Sequence, residues 1–491
     1  MPSQRLNVGV VGGGLGGLAA AIAIARSGAD VTVLEAATKL GEIGAGIHMF
    51  PNASRFLLRW GVTKLIGDNL VEHEEANTWS GGPGLNLISK IDAKKVSRAS
   101  GFPWYIVRRD HLHAGLEASA RLHGVKIITN ARIASFDTAS HAPLVTVTTG
   151  AGTSHSFDLV IGADGIKSAI RGQMFPDVGP VPYAPAVAYR HTMKISTIYR
   201  EVPEARHIIR NNFHMWCGPH GYLVTYPLSG GTEMNITICF YTKDGWPTTI
   251  VEDADLSELN EQLKDYPEVV QKIWALAPGS NRWPLLHIRK MDSWSNKEKN
   301  VVLLGDACHA MNPALAQGAA TAIEDAAFLG QALAEVQQGS ISIAEAITIY
   351  EERRIPKAWV KQQLAFIAAD LEMGGPGPSY DKDIPEEQIR ALRDRNSKPE
   401  IDASAVSVKS QAELPMRYRS WHHAFFVENN KRNFYYDAEA DADDAVCQHL
   451  LNKSQIINDT RKATDLLERK FWAPLFENEL AREAGASVSA D

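Results

Sequence analysis

Cysteine is scarce in this sequence. Cys217, Cys239, Cys308 and Cys447 are the only ones in 491 residues, and no two stand in a C-x-x-C spacing. That excludes a disulfide framework and a cysteine-based zinc site. A basic excess is missing as well: 50 lysines and arginines face 57 aspartates and glutamates, for a formal net charge of −7. Nucleic-acid binding normally shows as a basic patch or stripe, so no nucleic-acid partner is expected. No uninterrupted apolar run reaches the ~18 residues of a membrane span. The opening "MPSQRLN" leads straight into a strand pattern, without the charged and apolar regions of a signal peptide, and the closing "ASVSAD" is no recognisable address. A cytoplasmic protein without a membrane span is the expectation.

What the chain does have is glycine in telling places. "NVGVV" is a β-branched run suited to a strand buried on both faces. Gly12, Gly14 and Gly17 then form G-x-G-x-x-G, followed by the Ala-rich helix pattern "LAAAIAIARSG" and a second strand, "DVTVLE", that ends in Glu35. Each part has a mechanical role in a βαβ unit. Gly12 permits the tight turn, Gly14 lets the backbone approach a pyrophosphate, and Gly17 lets helix and strand pack closely. The helix N-terminus offers unpaired N–H groups to the phosphates. Glu35 stands where the ribose-binding carboxylate should fall, which suits the unphosphorylated ribose of FAD or NAD. The motif alone leaves those two open.

Two later stretches bear on that choice. "FDLVIGADGIKSAIR" is a buried strand followed by Asp164-Gly165, and "NVVLLGDACHAMNPALAQGAATAIEDAAFLG" is a strand, Gly305-Asp306, a turn through Pro313 and a long Ala-rich helix. Asp306 at a strand end can accept hydrogen bonds from polyol hydroxyls. The N–H groups of Gly318 and Ala319 can stabilise negative charge on a flavin pyrimidine.

With these motifs in hand, the chain resembles the group A flavoprotein monooxygenases, the para-hydroxybenzoate hydroxylase-like family. The G-x-G-x-x-G unit, the DG motif and the GD motif stand in the family's order. "GEIGAGIHMFPNASR", which contains Gly46, and Arg109 of "VRRDHLH" add to the likeness. The resemblance spans about residues 6 to 370, and within the family it is closest to salicylate hydroxylases and 6-hydroxynicotinate monooxygenases. It implies an α/β fold in which a Rossmann-like FAD-binding domain (1–75, 105–180 and 285–372) interleaves with a mostly antiparallel β-sheet substrate domain (76–104 and 181–284). A linker and C-terminal helical region (373–491) follow, with helical patterns at 441–458 and 459–483. It further implies non-covalent FAD, NADH or NADPH as a transient reductant, O₂ as co-substrate, a small aromatic substrate and a homodimer. The reaction would pass through a flavin C4a-hydroperoxide to hydroxylate a phenolic acid of salicylate or hydroxybenzoate type, with or without loss of CO₂. The alternative is a biosynthetic hydroxylase or epoxidase of a larger polyketide or alkaloid.

Attack on the ring is faster when its phenol is deprotonated, so a base or cation near the phenol is needed. His48, after "GAGI", is the first choice for that base. The resemblance gives Arg190 and Tyr222, on two strands of the substrate sheet, the holding of a phenolate or carboxylate. His220 is a secondary catalytic candidate, Tyr226 and Pro313 are pocket residues, and the Pro313 carbonyl is expected to face the ring. His309 orders the turn beside the flavin, and Cys308 packs rather than attaching it. No metal site is expected: the acidic run "DAEADADDA" (437–445) reads as a solvated helix face.

Overall fold

Branched apolar strands alternating with Ala-rich helices build a doubly wound half first. In the computed structural model, which describes residues 5–41, 44–80, 86–138, 144–218, 220–243, 245–373, 406–408 and 434–453, five parallel strands line up. Their order is Val301–Leu303, Leu159–Gly162, Asn7–Val11, Asp30–Leu34 and Lys126–Ile128. Val8, Val10, Val160, Ile161, Val301 and Val302 are fully buried, as strands covered on both faces require. Helices Leu15–Arg26 and Gly318–Gln337 pack on one another across this sheet, and small side chains on both let them approach closely.

The second half is an eight-stranded sheet. Its order is Arg282–Ile288, Pro180–Lys194, Glu233–Tyr241, Gly221–Leu228, Asn212–Cys217, Glu75–Ser80, Leu87–Asp92 and Val406–Val408. All neighbours are antiparallel except Asn212–Cys217 beside Glu75–Ser80. Alternation sorts its side chains onto two faces. Val187, Tyr189, Leu223, Ile236, Ile238 and Phe240 join an apolar cluster with residues of the helices Ser257–Leu263 and Glu268–Trp274. The other face carries Arg190, Thr237, Val224 and Met215 in register across adjacent strands, with Tyr222 paired to Cys239 and Cys217. It turns toward the long helix Ile343–Met373. A small antiparallel sheet, Gly46–Met49, Tyr105–Arg108 and Val71–Glu72, joins the two halves.

Two features of the C-terminal region differ from the sequence reading. Val406–Val408 leaves the expected linker to become an edge strand of the large sheet. The acidic run, expected to be solvated, docks instead. Helix Ala438–Lys453 lies on Gly318–Gln337 and Ile343–Met373. Asp437 pairs with Arg55 (3.2 Å) and Arg59 (2.6 Å), Asp444 with Arg353 (3.1 Å) and Asp441 with Lys357 (3.6 Å). Cations spread along the sequence gather opposite the acids in space, a pattern no local window displays. The helical pattern at 459–483 lies outside the described residues.

Between these helices sits a fully buried ionic cluster. Arg354 reaches Glu324 and Asp325 (2.8 Å each), Lys361 reaches Glu324 (2.6 Å), and Asn52 donates to the same carboxylate (2.6 Å). Desolvation opposes each charge, so the cluster holds only while every partner is present. The cations beside Glu324 and Asp325 hold both carboxyls below their ordinary range despite that burial.

Candidate active site

The glycine turns meet at one place. Gly12 has φ +104, and a Cβ there would fall 2.5 Å from the Ala163 carbonyl oxygen, so the first turn touches the DG turn directly. Added carbons at Gly16 and Gly305 would both meet Ala322, at 3.2 and 3.0 Å, which brings the GD turn to the same spot. All three follow the C-terminal ends of parallel strands, the edge where open α/β sheets hold ligands. Gly17 abuts the Gly12 carbonyl, and Gly14 precedes a helix whose first turn has no side-chain cap. The helix beginning at Gly318 and Ala319 is likewise uncapped by any side chain. Two sets of N–H donors are thereby left for an anion.

The carboxylates stand around this edge. Glu35 accepts from the N–H groups of Gly13 (2.6 Å) and Ala37 (2.7 Å), which fixes it beside the glycine turn. Asp164 Oδ2 accepts from Ala169 (2.7 Å) and Ile170 (3.2 Å), while its Oδ1 is buried without a hydrogen-bond partner among the described residues. Gly165, at φ +78, lets the chain turn away after it. Asp306 is exposed at the start of the short Asp306–His309 helix. An orphaned carboxylate oxygen, uncapped helix ends and a backbone cradle that any side chain would fill suit a dinucleotide. Arg109 opens the Arg109–Leu122 helix, its N–H bonded to the Ala45 carbonyl (2.7 Å), while neighbouring Arg108 is held by Asp110 and Glu233. His309 contacts Asp325 at 2.5 Å, and Asp325 also accepts from the Gly305 N–H (3.3 Å), so this pair orders the GD turn. Burial pushes the Cys308 thiol up, and its Sγ lies 3.4 Å from the Gly305 carbonyl. A protonated, packed thiol is a poor nucleophile.

Beyond this edge, under the large sheet, is a cavity walled by Phe50, Trp104, Phe213, Ile91 and Met215, with Ala314, Leu315 and Ala316 on the cofactor side. His48 lines it, delivered by the Gly46–Met49 strand. Its ring packs against Tyr226 (centroids 4.6 Å), Phe213 (5.2 Å) and Phe50 (5.7 Å). Trp104 Nε1–H donates to His48 Nδ1 at 3.3 Å, and Nε2 is buried with no partner among the described residues. Indole can only donate, so the imidazole hydrogen sits on Nε2. Burial lowers the His48 pKa to about 3. A neutral imidazole with Nδ1 occupied is a hydrogen-bond donor, which corrects the expectation of a base poised near working pH.

The other sequence candidates are dispersed around this centre. Tyr226 is buried, donates to the Gly46 carbonyl (3.1 Å), and its hydroxyl is pushed up to about 12 by burial. Gly46 is glycine because a Cβ would overlap that ring. Arg190 lies on the cavity-side face of the sheet, opposite Thr237, and its charge reaches Tyr226 and Cys239, but it does not line the cavity. Tyr222 is buried beside Cys239 in the cluster under the long helix, and burial raises its hydroxyl pKa well above the ordinary value. His220 is exposed in the turn between Asn212–Cys217 and Gly221–Leu228, away from the cavity lining. Pro313 is exposed, and its carbonyl is taken by the Ala316 N–H (2.8 Å) instead of facing a ring; the next residues form the wall. Glu372 also lines the cavity, and nothing in the sequence pointed to it.

A dinucleotide edge of this kind joined to a roofed aromatic cavity defines a flavin-dependent oxidoreductase. The FAD binding domain family model matches residues 5–365, and the chain belongs to that family. It is 31% identical over 388 residues to the FAD-dependent monooxygenase OpS4 of Beauveria bassiana, covering 75% of this chain and 87% of that protein. It is also 31% identical over 351 residues to a 3-hydroxybenzoate 6-hydroxylase of Klebsiella oxytoca, covering 71% and 84%. Among solved structures, CtdE in complex with FAD and a substrate superposes with a TM-score of 0.72 at 17% identity, over 92% of this chain and 100% of that one. FAD is the cofactor, and the protein is of the flavoprotein monooxygenase class.

Proposed function

We propose that this enzyme uses NAD(P)H and O₂ to hydroxylate a phenolic ring held in the His48 cavity. The observation that carries the reading is His48 itself: a tautomer-fixed imidazole whose Nε2–H has no partner among the described residues, inside an aromatic enclosure that Ala314, Leu315 and Ala316 line from the segment after the GD turn. When bound, FAD supplies the reduced isoalloxazine that activates O₂ for transfer of one oxygen atom to the ring. The pyrophosphate fits the uncapped helix start after Gly14, and the ribose hydroxyls fit Glu35. The polyol chain fits Asp164 and Asp306, and the flavin pyrimidine fits Gly318 and Ala319, with Arg109 nearby. The nicotinamide cofactor binds only transiently.

His48 then donates Nε2–H to the oxygen of a substrate held as its phenolate, the phenol having released its proton to solvent on entry. That bond strengthens as negative charge grows on the oxygen, so it favours the electron-rich phenolate that reacts. Phe50, Trp104 and Phe213 stack the ring and keep water out. Tyr226 packs against the His48 ring and holds it in place. Relatives named as a monooxygenase and as a hydroxybenzoate hydroxylase support the class of reaction.

The test is NAD(P)H oxidation by the purified yellow protein across a panel of substituted phenols, with products read by mass spectrometry. A phenol that accelerates oxidation and gains one oxygen supports the reading. If no phenol is converted, the hydroxylase assignment fails while FAD binding stands.

A further inference from the structure

The far end of the long helix Ile343–Met373 brings a second titratable group to the cavity. Glu372 is 5% exposed, lines the same walls as His48, and its Oε2 is buried with no hydrogen-bond partner among the described residues. An unpaired carboxyl oxygen in an aromatic enclosure forfeits the hydrogen bond it had in water, which a bound donor would restore. Its polar neighbours in the wall are Thr78, Ser89 and His48, and neither lysine nor arginine occurs among the described residues of the lining.

We propose that Glu372 selects the substrate: it takes a hydroxyl or N–H donor carried by the phenolic ring and turns away rings that bear a carboxylate. The inference rests on the hydroxylase reading of the cavity. Burial pushes the Glu372 carboxyl well above its ordinary range, which favours its uncharged form. A protonated carboxyl both donates and accepts, and so it can pair with a hydroxyl or an amine. A substrate carboxylate gains little here. It would lose its water against Phe50, Trp104 and Phe213 with no cation among the described residues of the lining to compensate. The expected substrate is therefore an uncharged or amine-bearing phenol with a second donor group, rather than a phenolic acid.

The experiment pairs ligands that differ only at this group: 3-hydroxybenzyl alcohol and 3-aminophenol against 3-hydroxybenzoate, with phenol as reference. Binding is read from the shift in flavin absorbance on titration, and turnover from NAD(P)H oxidation. The alcohol and the amine are expected to bind at least about tenfold more tightly than the acid. Glu372→Leu is expected to lose that advantage over phenol, whereas Glu372→Gln, which still donates and accepts, keeps it within about threefold. Tighter binding of the acid by wild type overturns the inference, as does a Glu372→Leu protein that binds the alcohol unchanged. Turnover separates the two readings. Conversion of acids alone sinks the selectivity and leaves the hydroxylase, while ordered binding without conversion of any phenol sinks the hydroxylase.

Discussion

At the scale of single residues, Trp104 decides what His48 can do. Because its indole occupies Nδ1, the imidazole presents a hydrogen rather than a lone pair. His48→Ala is expected to lower the hydroxylation rate roughly 100-fold, the lower part of what a positioned proton-handling group contributes. His48→Gln, with an amide N–H in its place, should recover part of that. With a pKa of about 3, His48 stays neutral from pH 5 to 9, so the wild-type rate should show no limb near pH 6.5; a limb there that vanishes in His48→Ala would contradict the donor role. Asp306→Ala is expected to weaken FAD binding at least tenfold, since a charged acceptor of polyol hydroxyls is worth about 1.5–3 kcal/mol. Flavin retained through gel filtration would contradict it. The glycine turns and their acids were legible because backbone geometry leaves few residue types able to occupy them. Glu372 was not, because its chemistry comes from burial at a helix end, and "AADLEM" bears no mark of what will fold over it.

At the scale of elements, the strands and the Ala-rich helices followed their patterns closely; Arg190 stands on a strand of the large sheet as expected, opposite Thr237, but it does not line the cavity. The failures were at contacts between distant segments. The acidic stretch at 437–445 looked solvated because its partners, Arg55, Arg59, Arg353 and Lys357, lie elsewhere in the sequence. Arg55 is buried, and Asp437 is its counter-charge. Asp437→Ala strands that guanidinium, and breaking such a pair is expected to cost about 3 kcal/mol. A urea-unfolding midpoint unchanged by the substitution would show the helix docks without it.

For the whole molecule, acid sensitivity follows from histidines kept neutral. Burial lowers His48 to about 3 and His214 to about 4, and His73 well below its ordinary value, with His48 and His214 adding to the effect. The unfolded chain takes up these protons near pH 6.5, the folded chain does not, so stability falls as pH drops through that window. His48 alone accounts for roughly 2 kcal/mol at pH 5. Glu324 and Asp325, held low by their cations, add a loss only below about pH 4. Melting temperature is therefore expected to decline from pH 7 to 5, less steeply in His73→Phe; equal slopes would assign the effect elsewhere.

The three turns that meet around Gly12 come from widely separated parts of the chain, and this governs when the protein can become yellow. While a ribosome is still short of Gly305, only two of the turns exist and the sheet lacks its Val301–Leu303 strand. The flavin thus has nothing complete to enter until most of the polypeptide has emerged. A chain truncated before Gly305 is therefore expected to stay colourless whatever the supply of flavin.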